Sequence, residues 1–276
     1  MEVNKIYNEN CLDTMARMPD GFVDLTVTSP PYDNLRTYNG YSFDFEAVAK
    51  ELYRVTKQGG VVVWVVGDAT IKGSETGTAF KQALYFKEIG FNLGDTMIWQ
   101  KANPFNFGSN LFYPQSFEYM FILTKGKIKT SNLIRDRIIK NAGKTFRRTN
   151  RGNNDKMVYH DKIVTLKEIG KRYNVWTIPV QSNKNHPAPF PEQLANDHII
   201  SWSNEGDLVY DPFMGSGTTA KMAILNKRNW IGSEISKEYC EIAEKRISSV
   251  LPPSVEMIPA AEAEPDPEHR AECLWK

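Results

Sequence analysis

Short apolar runs alternate with amphipathic stretches along most of the chain. Lys5-Ile6-Tyr7-Asn8 is a short strand candidate. Asp13 to Met18 is predicted as a short helix, closed by the turn signal Pro19-Asp20-Gly21. Phe22 to Thr28 is the second predicted strand. Phe43 to Thr56 carries Phe45, Val48, Ala49, Leu52 and Val55 at amphipathic helical spacing. Gln58-Gly59-Gly60 is predicted to end that helix as a glycine C-cap. Val61 to Val66 is an unbroken apolar run of strand length, as in a parallel sheet covered on both faces. Thr78 to Ile89 is a further helix, stopped at Gly90. Asp95 to Gln100 and Phe117 to Thr124 are predicted strands, with a loop rich in Asn, Phe, Gly and Pro from Lys101 to Ser116. Loops of that length in folded domains usually carry function.

The alternation returns late in the chain. A helix is predicted within Pro187 to Ser201, then a strand at Asp207-Leu208-Val209-Tyr210 and a helix from Thr218 to Leu225. A strand at Trp230-Ile231-Gly232-Ser233 and a helix from Lys237 to Val250 follow. Strands alternating with helices predict an α/β fold with a doubly wound parallel sheet. After Leu251 the chain is rich in Pro, Ala and Glu and is expected to be disordered.

Charge changes this picture in one place. The chain of 276 residues has a net charge of only +1. Residues 125–185, however, hold sixteen Lys/Arg against four Asp/Glu, leaving eighteen against twenty-nine elsewhere. This block interrupts the alternation and is read as an inserted recognition region. Its charge fits nucleic acid, although a solvated lysine-rich insertion has the same composition. Hydrophobic residues at 41% and charged residues at 24% are ordinary for a soluble protein. No apolar run approaches the roughly 20 residues of a membrane helix, and the N-terminus shows no signal pattern. Cys11, Cys240 and Cys273 form no CxxC pair, so neither a disulfide framework nor a zinc site is expected, and a cytoplasmic location is. Cys240 is expected in the core of the last helix.

Two stretches carry candidate chemistry. Asp211-Pro212-Phe213-Met214-Gly215-Ser216-Gly217-Thr218-Thr219 follows a strand and opens a helix. Glycines there let a backbone approach a ligand, and the helix N-terminus supplies N–H groups. The spacing is not that of a P-loop or of a full GxGxxG, so a tight structural turn is the other reading. Glu234 lies 23 residues after Asp211, at the end of the next strand. An acid at that distance is placed to bind a ribose hydroxyl; a helix-capping acid is the alternative. No phosphate-binding lysine accompanies the loop. A nucleoside with a small charged tail, such as S-adenosylmethionine, therefore suits it better than ATP or NAD. Asp211 is placed to pair with an ammonium group of that tail. The second stretch is Thr28-Ser29-Pro30-Pro31-Tyr32, at the end of a strand.

Together these residues resemble the amino-methylating DNA methyltransferases. Ser29-Pro30-Pro31-Tyr32 is similar to their catalytic (D/N/S)PPY motif. The loop from Asp211 to Thr219 resembles their S-adenosylmethionine loop, and Trp230 to Glu234 their ribose-binding strand end. His186-Pro187-Ala188-Pro189-Phe190-Pro191 resembles the segment that helps hold the methionine part of the cofactor. The motif order is that of the β group of the family. The resemblance implies a Rossmann-like methyltransferase fold, circularly permuted. Its parts would be a catalytic half at 1–124, a basic target-recognition insertion at 125–185, a cofactor half at 186–251 and a tail at 252–276. It also implies S-adenosyl-L-methionine as cofactor, double-stranded DNA as substrate, a prokaryotic or phage origin and a cognate restriction endonuclease as a partner. Cofactor contacts would come from Asn10, Cys11, Leu12, His186, Pro187, Phe190, Asp211, Pro212, Phe213, Gly215, Ser216, Gly217, Thr218 and Glu234. Family members often carry Gly-Asp where Glu9-Asn10 stands here; Asn10 can still accept from an adenine amine. None of the cysteines follows a proline, as C5 methylation of cytosine would need.

The stiff Ser-Pro-Pro-Tyr corner suits amine methylation. An exocyclic amine is a poor nucleophile, because its lone pair is delocalised into the ring. Acceptors around its N–H groups favour tetrahedral geometry and aim the lone pair. Ser29 and the Pro30 carbonyl are the candidate acceptors, and paired prolines fix that carbonyl. Tyr32 offers a stacking face. Flipping the base costs a few kcal/mol, and stacking on an aromatic ring returns ~1–3 kcal/mol. Arg36, Lys144, Arg147, Arg148 and Arg151 are the candidate DNA contacts. Asp33 and Tyr38 either line the pocket or lie in a solvated loop. Phe105, Phe107, Phe112 and Tyr113 are expected in the core more than at a base. No metal is expected. Within the family, serine at position 29 tends to accompany cytosine N4 and aspartate adenine N6. Cytosine N4 is therefore the expected target, with adenine N6 the alternative. A catalytically silent DNA-binding module, or methylation of RNA or a protein amide, are the readings from other classes.

Overall fold

A computed structural model describes residues 1–31, 44–104, 111–151, 157–181 and 191–250, apart from the side chains at 148, 151 and 160–162. The chain opens with β1 (Lys5–Tyr7), α1 (Cys11–Ala16), β2 (Val23–Thr28), α2 (Phe45–Val55) and β3 (Thr56–Val66). A small hairpin follows, β4 (Thr70–Ile71) and β5 (Ser74–Glu75), then α3 (Thr78–Glu88), β6 (Asn92–Lys101) and β7 (Phe117–Thr124). The basic block holds β8 (Arg135–Ile138), β9 (Thr145–Arg151), β10 (Met157–Thr165), β11 (Ile169–Lys171) and β12 (Val175–Ile178). The last part is α4 (Glu192–Trp202), β13 (Leu208–Asp211), α5 (Thr218–Leu225), β14 (Asn229–Ser233) and α6 (Lys237–Ser248).

Eight strands form one sheet in the order β1-β14-β13-β2-β3-β7-β6-β12. Alternation along β3 explains why helices cover both faces. Val61, Val63 and Val65 pack with α4, α5 and α6 through residues such as Leu194, Ala220 and Ala243. Val62, Trp64 and Val66 pack with α1, α2 and α3 through Met15, Leu52 and Phe86. The expected doubly wound α/β architecture is therefore present. The sheet is not wholly parallel: β7 runs antiparallel to both β3 and β6. Neighbouring strands joined in sequence need no crossover to pair antiparallel, and β7 follows β6 directly.

Other expectations shift by a few residues, for local reasons. α1 starts at Cys11, two residues early, because the Asn10 side chain accepts from the Leu12 N–H and caps it. Gly59 and Gly60 do not cap α2. The helix ends at Val55 and β3 begins at once, the two glycines lying inside that strand. Its register against β2 jumps from Val23↔Thr56 to Leu25↔Val61. This is a bulge, where Gly59 takes φ +84°. Phe112 and Tyr113 are exposed rather than core, at 68% and 99%, because they precede β7 and lie off its faces. Phe105 and Phe107 fall outside the described residues.

The basic block is not all separate from the sheet. β12 pairs in parallel with β6 and forms its edge. β9 with β10, and β8 with β11, make two small antiparallel sheets. Lys125 belongs to the main body: its ammonium donates to the carbonyls of Tyr53 (2.6 Å), Thr56 (3.0 Å) and Arg54 (3.3 Å) at the end of α2. Among the described residues no helix is long and apolar enough to cross a membrane.

The site's position follows from connectivity. The helix after β2 covers one face of the sheet, and the helix after β13 covers the other. β2 and β13 are parallel neighbours. The crevice beyond their carboxyl ends is thus a topological switch point, where open α/β sheets bind ligands.

Candidate functional site at the carboxyl ends of the strands

Register brings the two singled-out stretches together. Val209 pairs with Leu25 and Tyr210 with Thr26, so Asp211 comes level with the end of β2. The Thr28 hydroxyl donates to Asp211 Oδ1 at 2.7 Å, and the Phe213 N–H donates to the same oxygen at 3.1 Å. The Thr219 hydroxyl, from the start of α5, donates to the Val27 carbonyl at 3.1 Å. Ser29, Pro30 and Pro31 leave β2 directly above this junction. Pro30 is buried, while Ser29 and Pro31 are half-buried. Thr28, fully buried, was not among the expected site residues. Nothing in the sequence sets it apart from Thr26, the other buried threonine of β2.

Asp211 is an unusual acid. Burial pushes its carboxyl up to about 6, against the pull of the Thr28 hydroxyl and the Phe213 N–H. Its second oxygen, Oδ2, is buried and has no hydrogen-bond partner among the described residues. A buried carboxylate oxygen left over in this way suits a cationic group.

Glu234 closes the other side. It follows β14, which lies between β1 and β13. Its Oε2 accepts from the Gly215 N–H and its Oε1 from the Ser236 N–H, both at 2.8 Å. Burial raises its pKa despite these donors. The acid thus braces the turn before α6, whose N-cap is Ser236, and also holds the glycine loop; it is half-buried rather than a solvated helix cap. Each oxygen keeps a second lone pair, which a ligand hydroxyl can use. The Glu234 N–H donates to the Tyr7 carbonyl at 3.0 Å, which ties the loop to β1 and so to Asn10.

The loop's other residues are packed. Pro212, Ser216, Gly217 and Thr218 are buried; Phe213 and Gly215 are half-buried. Asn10 is exposed, and its amide oxygen is engaged by the helix cap. Cys11 is buried and Leu12 half-buried; burial pushes the Cys11 thiol up to about 12. Lys144 and Arg147 are exposed on the turn and strand of the β9–β10 sheet. Arg148 and Arg151 lie in β9, their side chains outside the described residues. Tyr32, Asp33, Arg36, Tyr38, His186, Pro187 and Phe190 also lie outside them. No cluster of metal-ligating side chains occurs among the described residues.

The doubly wound sheet thus brings a glycine loop, a strand-end acid and a polar, proline-stiffened corner to one switch point, where α/β sheets bind ligands. Residues 23–245 match the model of the DNA methylase family, the N6/N4 methyltransferases, and the chain belongs to that family. The orphan methyltransferase M.BamHII of Bacillus amyloliquefaciens is 60% identical over 242 residues, which is 84% of this chain and 91% of that protein. The PvuII DNA methyltransferase, described as cytosine-N4-specific, shares the fold with a TM-score of 0.67 at 20% identity, over 93% of this chain and 89% of that one. TTHA0409 of Thermus thermophilus, complexed with S-adenosyl-L-methionine, gives a TM-score of 0.63 at 22% identity, over 90% and 95%.

Proposed function

We propose that this DNA methyltransferase moves the methyl group of S-adenosyl-L-methionine to the exocyclic N4 amine of cytosine, on a base flipped out of double-stranded DNA. One observation carries the reading: Thr28, next to Ser29-Pro30-Pro31, is hydrogen-bonded to Asp211 of the glycine loop at 2.7 Å. The acceptors for the amine and the cofactor loop are therefore braced against each other.

The residues fit the cofactor. The unpartnered Asp211 Oδ2 suits its ammonium group, and the spare lone pairs of Glu234 suit its ribose hydroxyls. Asn10, Cys11 and Leu12 flank the adenine end, and His186, Pro187 and Phe190 the methionine end. Pro212, Phe213, Gly215, Ser216, Gly217 and Thr218 form the wall between. When bound, the cofactor supplies an electrophilic methyl carbon. Ser29 and the Pro30 carbonyl accept the amine's N–H groups, hold its lone pair in one direction and take up its growing positive charge. Pro31 keeps the corner rigid, and Tyr32 stacks on the base. The surplus proton is released to solvent.

Ser29 is also why cytosine is preferred to adenine: a neutral hydroxyl stands where adenine enzymes of the family tend to carry a charged aspartate. The chain order supports a permuted arrangement, with a catalytic half, a basic recognition region and a cofactor half. That β12 joins the main sheet supports a recognition region ending before Val175. Arg36, Lys144, Arg147, Arg148 and Arg151 supply phosphate and base contacts. The name of the 60%-identical relative, an orphan methyltransferase, supports an enzyme working without a paired nuclease.

The test is chemical. Mixed-sequence duplex DNA is incubated with the protein and the cofactor, digested to nucleosides and analysed by mass. N4-methyl-2′-deoxycytidine is the expected product, and Ser29→Ala should lower its yield at least tenfold, the ~10²-fold scale of one lost transition-state acceptor being the upper guide. N6-methyl-2′-deoxyadenosine as the sole product would overturn the choice of base.

A further inference from the structure

α6 touches the glycine loop at two points on one face. A Cβ built on Gly217 would lie 3.0 Å from the Ala243 Cβ and 3.2 Å from its Cα. One turn further on, Arg246 closes around the loop. Its Nη1 donates to Ser216 Oγ and to Thr218 Oγ1, each at 3.0 Å. Its Nη2 donates to Glu192 Oε1 at 2.5 Å, an oxygen that also accepts from Lys221 Nζ at 2.7 Å. Glu192 is the first residue of α4. A single guanidinium thus ties α6, the loop, the start of α5 and the start of α4. Arg246 lies one residue past the family match.

Helix electrostatics do not explain a cation at this spot. α5 begins at Thr218, and a helix N-terminus already carries positive partial charge. What the position rewards is shape. A planar fork spreads its donors over two nitrogens, so one end can serve the two hydroxyls while the other meets the carboxylate, a reach that the compact ammonium of a lysine lacks. A hydroxyl that accepts from a guanidinium keeps its own proton for another acceptor. The buried Ser216 and Thr218 are thereby fixed as donors, beside the N–H groups of the first turn of α5. Such a set suits a carboxylate.

We propose that Arg246 is a positioning residue: braced by Glu192, it orients the Ser216 and Thr218 hydroxyls and so sets affinity for the amino-acid end of the cofactor. The inference rests on S-adenosylmethionine being that cofactor. It separates the two ends of the ligand, and so does its test. Binding of S-adenosylhomocysteine and of 5′-methylthioadenosine, which lacks the amino-acid group, is measured by calorimetry for the wild type, Arg246→Met, Arg246→Lys and Glu192→Gln. Arg246→Met is expected to weaken S-adenosylhomocysteine about tenfold, the scale of one charge-assisted hydrogen bond, and to leave 5′-methylthioadenosine unchanged. Arg246→Lys should recover part of the loss, and Glu192→Gln should show a smaller loss of the same selectivity. In turnover, the effect should fall on KM for the cofactor rather than on kcat. Equal weakening of both ligands, or of neither, in Arg246→Met and Glu192→Gln overturns the inference alone. A wild-type protein that binds neither ligand overturns the cofactor reading, and this inference with it.

Discussion

At the scale of single residues, Asp211 carries the clearest energetic signature. An acid whose folded pKa of about 6 lies above the ordinary 3.8 costs the folded state about 3 kcal/mol at pH 7 and above. The sign follows from proton counting. Between pH 4 and pH 6 the folded chain holds more protons than the unfolded one, so the cost lifts as pH falls through 6 and is gone near 4. Asp211→Asn removes the titration while keeping an acceptor for Thr28 and Phe213. It should raise Tm at pH 7.5, and the gain should shrink toward pH 5, measured by thermal denaturation of the ligand-free protein. The same variant should bind the cofactor more weakly, since stability and site function trade against each other there. Asp211, Gly217, Glu234 and Ser29 stood out in the sequence only as members of several motifs in one order, since a GxG loop or a strand-end acid alone also reads as a tight turn or a helix cap. Thr28 and Arg246 did not stand out. Thr28 reads as one more β-branched strand residue, and Arg246 lies 30 residues from the serine it holds.

At the scale of elements, periodicity found the long helices and the apolar strands, while cap chemistry decided their ends. Asn10 began α1 early, and two glycines that looked like a stop signal became a bulge within β3. Lys125 shows how an element can recruit a distant charge. Its ammonium serves three carbonyls at the end of α2 and lies 4.7 Å from the centre of the Tyr53 ring. In sequence it is only the first lysine of a basic block. Lys125→Met should therefore destabilise the fold by roughly 2 kcal/mol, the scale of charge-assisted bonds to part-buried carbonyls, with DNA affinity unchanged. Urea denaturation and a DNA titration of the same variant would separate the two roles; lost DNA affinity at unchanged stability would contradict it.

At the scale of the whole molecule, charge is divided between a basic region and an acidic remainder. If the exposed Lys144 and Arg147 contact phosphates, replacing each with alanine should weaken binding to all duplex sequences alike. Each should also reduce the slope of log K against log salt by about 0.9. A loss confined to one sequence would instead mark a base contact. The sequence by itself determined the α/β class, the two faces of β3, the placement of the glycine loop between strand and helix, and the acid at the end of β14. These rest on local periodicity, backbone freedom and chain spacing, which need no partner. Only the tertiary structure decided that β2 lies against β13, that β7 runs against its neighbours, and that β12 returns to the main sheet. Those are pairings across up to 184 positions, as from Leu25 to Val209, chosen by which apolar faces can be covered at once. No local pattern encodes that choice, and the junction of Thr28 with Asp211 exists only because of it.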